Sequence, residues 1–330
     1  MRVLTGIQPT GIPHLGNYLG VIKRFLTMQE KNPSYEYFFC IVNLHALTLP
    51  SNFTKLKQNT LDMLTILLAL GMNPEKVTLF LQSEVSAHAE ACWLLQSLSK
   101  MGELNRMIQF KEKSLTKETA SASLFIYPVL QAADILLYQT DLVPVGQDQK
   151  QHLELTQTLA ARFNSYYNQE VFTIPKPDIS LAGAKIMALD NPRKKMSKSS
   201  KSSMGYISLL DDAKSIEMKI KRAVTDSGNE VFYDLENKPG ISNLLVIYSL
   251  LVNKDISLLE KEYQGLGYGK FKKDLIEVIV SKLTPIANKF QEVKENYDLE
   301  VILKKTNKKA QEIANATLYN MKKAMGLLLF

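Results

Sequence analysis

Two segments far apart in the chain carry residue types suited to holding an anion. The first runs Gly6-Ile7-Gln8-Pro9-Thr10-Gly11 and continues through Pro13-His14-Leu15-Gly16-Asn17. Its glycines and prolines forbid regular structure. The apolar pair Val3-Leu4 ahead of it predicts a strand, and Leu15, Leu19, Ile22, Phe25 and Leu26 behind it recur at helical spacing. A tight loop that feeds a helix presents unpaired N–H groups and a positive dipole end, both of which favour negative charge. Gly16 would let a ligand approach the backbone, with His14 and Asn17 at the mouth. On geometry alone the stretch reads equally as a plain turn between strand and helix. The second segment is Lys194-Lys195-Met196-Ser197-Lys198-Ser199-Ser200-Lys201, a cationic loop of small residues. By itself such a run ordinarily means a solvated surface loop.

A third cluster is Tyr127-Pro-Val-Leu-Gln131-Ala-Ala-Asp134. On a helix, positions 127, 131 and 134 share one face. A carboxylate among Leu130, Ala132, Ala133, Ile135 and Leu136 is costly unless it meets a donor. That donor is either a ligand or a partner within the core. Gly146-Gln147-Asp148 follows a short apolar run and opens a helical pattern, where it also fits an ordinary helix cap.

These residues need a scaffold. Glu36 to Val42 is a continuous apolar run that fits a strand buried on both faces of a parallel sheet. Leu56–Leu70 has helical period, Val77–Leu81 is a further strand, and Ala87–Leu98 is helical again. Ser123–Tyr138 predicts a helix with Pro128 in its first turns, Leu142–Val145 a strand, and Gln147–Phe163 the next helix. Residues 165–183, with Pro175 and Pro177, read as a connection. Met101–Thr119 reads as a partly helical surface insertion. Strands alternating with helices predict an α/β fold, a Rossmann-like doubly wound parallel sheet, with its ligand beyond the strands' carboxyl ends. From Leu209 onward only helical patterns appear: Leu209–Ala223, Ile241–Leu251, Phe271–Phe290, Leu299–Leu303 and Ala310–Met325. The change near residue 190 divides the chain into an α/β domain, 1–190, and an all-helical second domain, 191–290. Gly265-Leu-Gly-Tyr-Gly-Lys270 lacks phosphate-loop spacing and reads as a turn before a helix. The lone Trp93 reads as core packing.

Bulk numbers narrow the class. The 330 residues are 45% apolar and 22% charged, with net charge +7. This is ordinary globular composition, and its positive excess suits a polyanion such as RNA. There are 2 cysteines and 4 histidines, without metal-ligand spacing, so neither a disulfide framework nor a bound structural metal is expected. Cysteine usage, the lack of an apolar run of membrane-spanning length and the lack of a signal pattern predict a cytoplasmic protein. No Gly-x-Ser-x-Gly nucleophile motif is present.

Pro13-His14-Leu15-Gly16-Asn17 with the later Lys195-Met196-Ser197-Lys198-Ser199 resembles the paired motifs of class I aminoacyl-tRNA synthetases. Asn17 where the family usually has histidine, beside Gly6-Ile-Gln-Pro-Thr-Gly11, is the form of the family's tryptophan-charging branch. The resemblance spans about residues 3–325. It implies ATP with Mg2+ as substrate, tryptophan and tRNA as partners, and a homodimer without membrane association. It also implies that the last helices, about 291–330, return to the nucleotide-binding core, and that the helical domain binds the anticodon.

The reaction implied is attack of the tryptophan carboxylate on the α-phosphate of ATP, followed by transfer to tRNA. Lys195, Ser197, Lys198 and Lys113 become the catalytic set, stabilising charge on the leaving pyrophosphate. Gln8, Pro9, Thr10, Gly16, Asn17, Gly146, Gln147, Asp148 and Ile186, with Met196 and Ser199 of the lysine loop, are implied to bind ATP. Asp134 would accept the indole N–H, while Leu4, Gly6, Tyr127, Gln131, Val143 and Val145 line the ring. His45 and Gln149 are candidates for the ammonium and carboxylate. Leu4, Gln131 and Ser200-Lys201 depart from common family residues. Three other readings remain open at this point: a tyrosine-specific relative, a small-molecule nucleotidyltransferase, and a catalytically idle RNA-binding paralogue.

Overall fold

The computed structural model describes residues 1–48, 54–108, 121–146, 149–178, 185–198 and 202–329. Its centre is a parallel sheet of five strands: β1 (Arg2–Ile7), β2 (Glu36–Ile41), β3 (Val77–Leu81), β4 (Leu142–Pro144) and β5 (Lys176–Asp178). They lie in the order β3-β2-β1-β4-β5 and all pair in parallel. The chain moves outward from β1 through β2 to β3, then crosses to β4 on the other side. The direction of winding therefore reverses between β1 and β4, and ligands of such sheets lie beyond the strand ends at that point. Gln8 follows β1 there, and Val145-Gly146 follow β4.

Burial on both faces explains the unbroken apolar strands. Val3 and Phe39 face one core cluster, while Leu4, Phe38 and Cys40 face the other. Leu15, Leu19 and Ile22 begin the first helical segment, which runs from α1 (Leu15–Asn17) through a π turn (Tyr18–Ile22) into α2 (Lys23–Lys31). This segment packs on the first cluster together with α3 (Leu56–Ala69). On the other face lie α4 (Ala87–Gln96), α5 (Met101–Asn105), α6 (Ala122–Leu136) and α7 (Lys150–Tyr167). Ser121 caps α6 by accepting the Leu124 N–H, and Pro128 sits near the middle of that helix rather than in its first turns.

The remainder is helical: α8 (Ala213–Arg222), α9 (Pro239–Val252), α10 (Ile256–Glu262), α11 (Gly267–Asn296) and α12 (Leu299–Ala324). Ile216, Ile241, Phe271 and Leu283 join the same cluster as Val3 and Leu15. Helix α12 returns to the sheet and packs on β3 and α4. Its lysines serve that return, since Lys305 pairs with Glu75, Lys309 with Glu36 and Lys322 with Glu90. Among the described residues no single helix is long and apolar enough to cross a membrane.

Several sequence expectations are corrected. The connection at 165–183 contains the end of α7 and the edge strand β5, which its prolines disguised. Among the described residues β5 is the edge strand, and such a strand tolerates Pro177 because a proline facing the open side removes no ladder hydrogen bond. Leu299–Leu303 and Ala310–Met325 are one helix, and α10 was not foreseen. The turn at Gly265 is present, but the helix after it begins at Gly267, with both glycines at positive φ of 78° and 73°. Trp93 is 72% exposed rather than core. The buried stripe of α4 is Ala87, His88, Ala91, Cys92 and Leu95, and position 93 falls off it.

Candidate active site

The two anion-suited segments meet. Lys198 Nζ donates to the carbonyls of Thr10 at 3.0 Å and Ile12 at 2.7 Å, across 186 to 188 residues of chain. Backbone bonds lace the neighbouring stretches together. Leu15 N–H donates to Ile207 O at 2.8 Å, and Leu209 N–H donates to Pro13 O at 3.1 Å. On the other flank, Met196 N–H donates to Ile186 O at 2.9 Å and Ala188 N–H to Lys194 O at 2.8 Å, which folds residues 186–196 into a narrow hairpin. Asn243 of α9 clamps that hairpin. Its Oδ1 accepts from Met187 N–H at 2.8 Å and its Nδ2 donates to Met187 O at 2.9 Å. Helix α9 therefore holds the backbone beside Ile186 directly.

The first motif is a reciprocal cap. His14 Nδ1 accepts the Asn17 N–H at 3.3 Å, and Asn17 Oδ1 accepts the His14 N–H at 3.2 Å. This accounts for an amide at position 17, where a carbonyl oxygen is required three residues into the helix. Burial first, then the charges of Lys198 and Lys195, push His14 down to about 4. The ring is neutral near pH 7, and because Nδ1 accepts, its proton sits on Nε2 as a donor. A Cβ on Gly16 would stand 3.0 Å from His14 Nδ1 and 3.4 Å from Ile186 Cβ, so any side chain here would press His14 away. Pro9 is buried, Gln8 half-buried and Thr10 exposed at the end of β1. Of the lysine loop, Met196 is buried, Ser197 and Lys198 are half-buried, and Lys195 is exposed. Burial lowers Lys198 to about 8.

Beyond β4 lies the second half of the site. Leu4 and Val143 are buried side by side in the cluster that holds Phe38 and Cys40, with Val145 half-buried behind them. Gly6 is exposed, and a Cβ there would come within 3.0 Å of Val42 Cγ1 and 3.2 Å of Cys40 O. Asp134 is buried on α6. Its Oδ1 accepts from His88 Nδ1 at 2.6 Å and Gln82 Nε2 at 2.8 Å, while its Oδ2 accepts from His45 Nε2 at 2.7 Å and Gln82 Nε2 at 2.9 Å. Burial pushes this carboxyl up, but the bonds and charges of His45 and His88 outweigh it and hold the group well below the usual carboxylate range. His45 is thus placed on Asp134. A second chain of bonds runs from Tyr127 OH to His152 Nε2 at 2.9 Å, from His152 Nδ1 to Gln149 Oε1 at 3.0 Å, and from Gln131 Nε2 to Gln149 Oε1 at 3.4 Å.

Tyr127, Gln131, Asp134, His45 and Gln149 are therefore brought into two adjoining networks on α6. Lys113, Gln147, Asp148 and Ser199 lie outside the described residues, while Gly146 is exposed at the end of β4. Sequence reasoning missed Gln82, His88, Tyr138 and His152. The available signal was a polar residue on an apolar helix stripe, as with His88 beside Ala87, Ala91 and Cys92. Among the described residues no group of three or more histidine, cysteine, aspartate or glutamate side chains is gathered to hold a metal ion.

Comparison with known proteins accords with this geometry. The model of the family described as tRNA synthetases class I (W and Y) matches residues 1–284. The tryptophan–tRNA ligase of Bacillus subtilis (strain 168) is 52% identical over 325 residues, covering 98% of this chain and 97% of that protein. The crystal structure of tryptophanyl-tRNA synthetase from Mycoplasma pneumoniae superposes with a TM-score of 0.90 at 38% identity, covering 99% of this chain and 98% of that one. The Campylobacter jejuni tryptophanyl-tRNA synthetase, solved in complex with ADP and tryptophan, gives 0.80 at 37% identity, covering 99% of this chain and 100% of that one. The chain belongs to the class I tRNA synthetases of the tryptophan and tyrosine family, among the bacterial tryptophan–tRNA ligases.

Proposed function

We propose that this chain activates tryptophan with ATP and attaches it to tRNA(Trp), the tryptophan carboxylate displacing pyrophosphate from the α-phosphate. The observation that carries the reading is Lys198 bonded to the Thr10 and Ile12 carbonyls, which gathers both motifs into one crevice. ATP lies across it, with the base end near Gly16, Asn17 and Ile186 and the phosphates toward Ser197, Lys195 and Lys198. Lys113, Gln147, Asp148 and Ser199, outside the described residues, are assigned to the same nucleotide on the family motifs alone. The ammonium of Lys198 leaves its two carbonyls for the β- and γ-phosphates as pyrophosphate departs. Electrostatic positioning of this kind needs no protein nucleophile. Mg2+ enters on the phosphates of ATP. Asp134 receives the indole N–H, with Leu4, Gly6, Tyr127, Gln131, Val143 and Val145 around the ring and His45 and Gln149 as the candidates for the ammonium and carboxylate.

The functional unit is a cytoplasmic homodimer with residues 1–190 and the returning last helices as its catalytic body and residues 191–290 toward the anticodon. Trp93, Met101 and Tyr166 are exposed on helices that Arg162 ties together through Glu103 and Leu98, and they supply apolar surface for a second copy. Pyrophosphate exchange assayed with each amino acid tests the assignment. Tryptophan-dependent exchange is expected, and exchange driven by tyrosine instead would overturn it.

The lowered Lys198 gives a pH signature. Stabilising the departing pyrophosphate requires the ammonium, which is present below about 8 and lost above it. kcat/KM for ATP is expected to stay flat from neutrality to that point and to fall about tenfold per pH unit beyond it. Lys198→Arg should remove the inflection, because guanidinium keeps its proton.

A further inference from the structure

The carboxylate of Asp134 is saturated. Each oxygen offers about two acceptor positions, and the four are filled by His45, His88 and a bifurcated Gln82 amide. A substrate N–H can reach this group only by replacing one of them. The three donors are not equivalent.

Gln82 is fully buried and fastened at both ends, since its Oε1 accepts from Leu44 N–H at 3.0 Å and His45 N–H at 3.4 Å. His88 is also fully buried and fastened at both ends. An ionised Asp134 requires a proton on His88 Nδ1, and in the neutral ring this leaves Nε2 to accept from Tyr138 OH at 2.9 Å. The Phe80 ring lies tilted against both His88 and Tyr138, at 5.9 and 5.0 Å between ring centres. His45 instead stands on a single 3-10 turn after β2, with its ring edge-on to Tyr127 at 6.1 Å.

We propose that Gln82 and His88, the latter set by Tyr138, are specificity-determining positioning residues that keep Asp134 aimed and charged. His45 holds the remaining acceptor position until the substrate's ring N–H replaces it. This rests on the reading of Asp134 as the indole acceptor. Under it, the pocket stays satisfied when empty, and binding exchanges one N–H donor for another. A ring without N–H displaces His45 and leaves Oδ2 one donor short, which is a penalty on top of the missing bond. The strength of that penalty depends on Asp134 being unable to rotate or protonate, and the buried pair Gln82 and His88 prevents both.

The test is pyrophosphate exchange by the full chain with tryptophan and with β-(benzothiophen-3-yl)alanine, which carries sulfur in place of the ring N–H. The unsubstituted protein should prefer tryptophan and Asp134→Asn should not. If the unsubstituted protein shows no preference, Asp134 is not the acceptor and this proposal falls with that reading. Where the preference exists, Gln82→Met is expected to cut it by roughly 10-fold and Tyr138→Phe by about 3-fold. Both losses should appear in KM for tryptophan, with KM for ATP and turnover of the sulfur analogue within about twofold of the unsubstituted protein. His88→Gln, which keeps an N–H, should retain more preference than His88→Leu. Thermal melts of each variant separate misfolding from mispositioning, and Tyr138→Phe removes only a hydroxyl. An unchanged preference in Gln82→Met and Tyr138→Phe, with Asp134→Asn still abolishing it, overturns the proposal and leaves the role of Asp134 standing. Equal losses with both amino acids overturn it too, since they mark a scaffold role.

Discussion

Lys198→Ala is expected to slow adenylate formation by roughly 10²- to 10³-fold while leaving tryptophan affinity within about threefold of the unsubstituted protein. The charge that Lys198 carries matters most when negative charge accumulates on the departing pyrophosphate, so its loss falls on the chemical step. Single-turnover adenylate formation gives the rate, and equilibrium dialysis with tryptophan alone gives the affinity. A collapse of tryptophan binding would mean that the bonds to Thr10 and Ile12 only brace the crevice. Those bonds do tie the two motifs together at rest. They are side chain to backbone, however, and the lacing of Leu15 to Ile207 and Leu209 to Pro13 is backbone alone, so it survives the substitution.

Asp134→Asn is expected to lower kcat/KM for tryptophan by roughly 10²-fold with KM for ATP within about threefold. The carboxylate accepts from Gln82, His45 and His88, and none of its atoms donates. An amide in its place puts an NH2 group against N–H donors of Gln82 or His88 and leaves one oxygen for the rest. The indole N–H therefore meets a weakened acceptor in a rearranged pocket. The ATP crevice around His14 and Lys198 is built from other residues, so nucleotide binding should be spared. A parallel fall in ATP affinity would contradict the separation of the Lys198 crevice from the Asp134 network.

The parallel sheet was legible because strands buried on two faces leave largely apolar runs, as at Tyr37–Ile41 and Val77–Leu81, between helices of regular period. The edge was not legible. β5 is three residues long and includes Pro177, so no period could show it. In the helical half, Leu299–Leu303 and Ala310–Met325 seemed separate because Lys304, Lys305, Lys308 and Lys309 interrupt the apolar pattern. Three of the lysines along this helix face glutamates of the body, and the helix runs on beneath them.

The site followed the same division. Residues in short local motifs, such as His14, Asn17, Lys195 and Lys198, could be read from their own neighbourhoods. Gln82, Tyr138 and His152 could not, and His88 left only the trace of a polar residue on an apolar helix stripe, because each acts on a partner 25 to 52 residues away on another element. Asp134 showed both sides. Its cost on an apolar helix was evident from sequence, whereas the identity of the three side chains that offset that cost was not.

The most direct test of the account is a crystal structure with ATP and an unreactive tryptophan analogue lacking the carboxylate oxygen that attacks. The account predicts one nucleotide spanning both motifs, its adenine beside Gly16 and Ile186 and its β- and γ-phosphate oxygens about 2.7–2.9 Å from Lys198 Nζ. A nucleotide bound away from the crevice between Thr10 and Lys198, or phosphates held by other residues while Lys198 keeps both carbonyls, would contradict it.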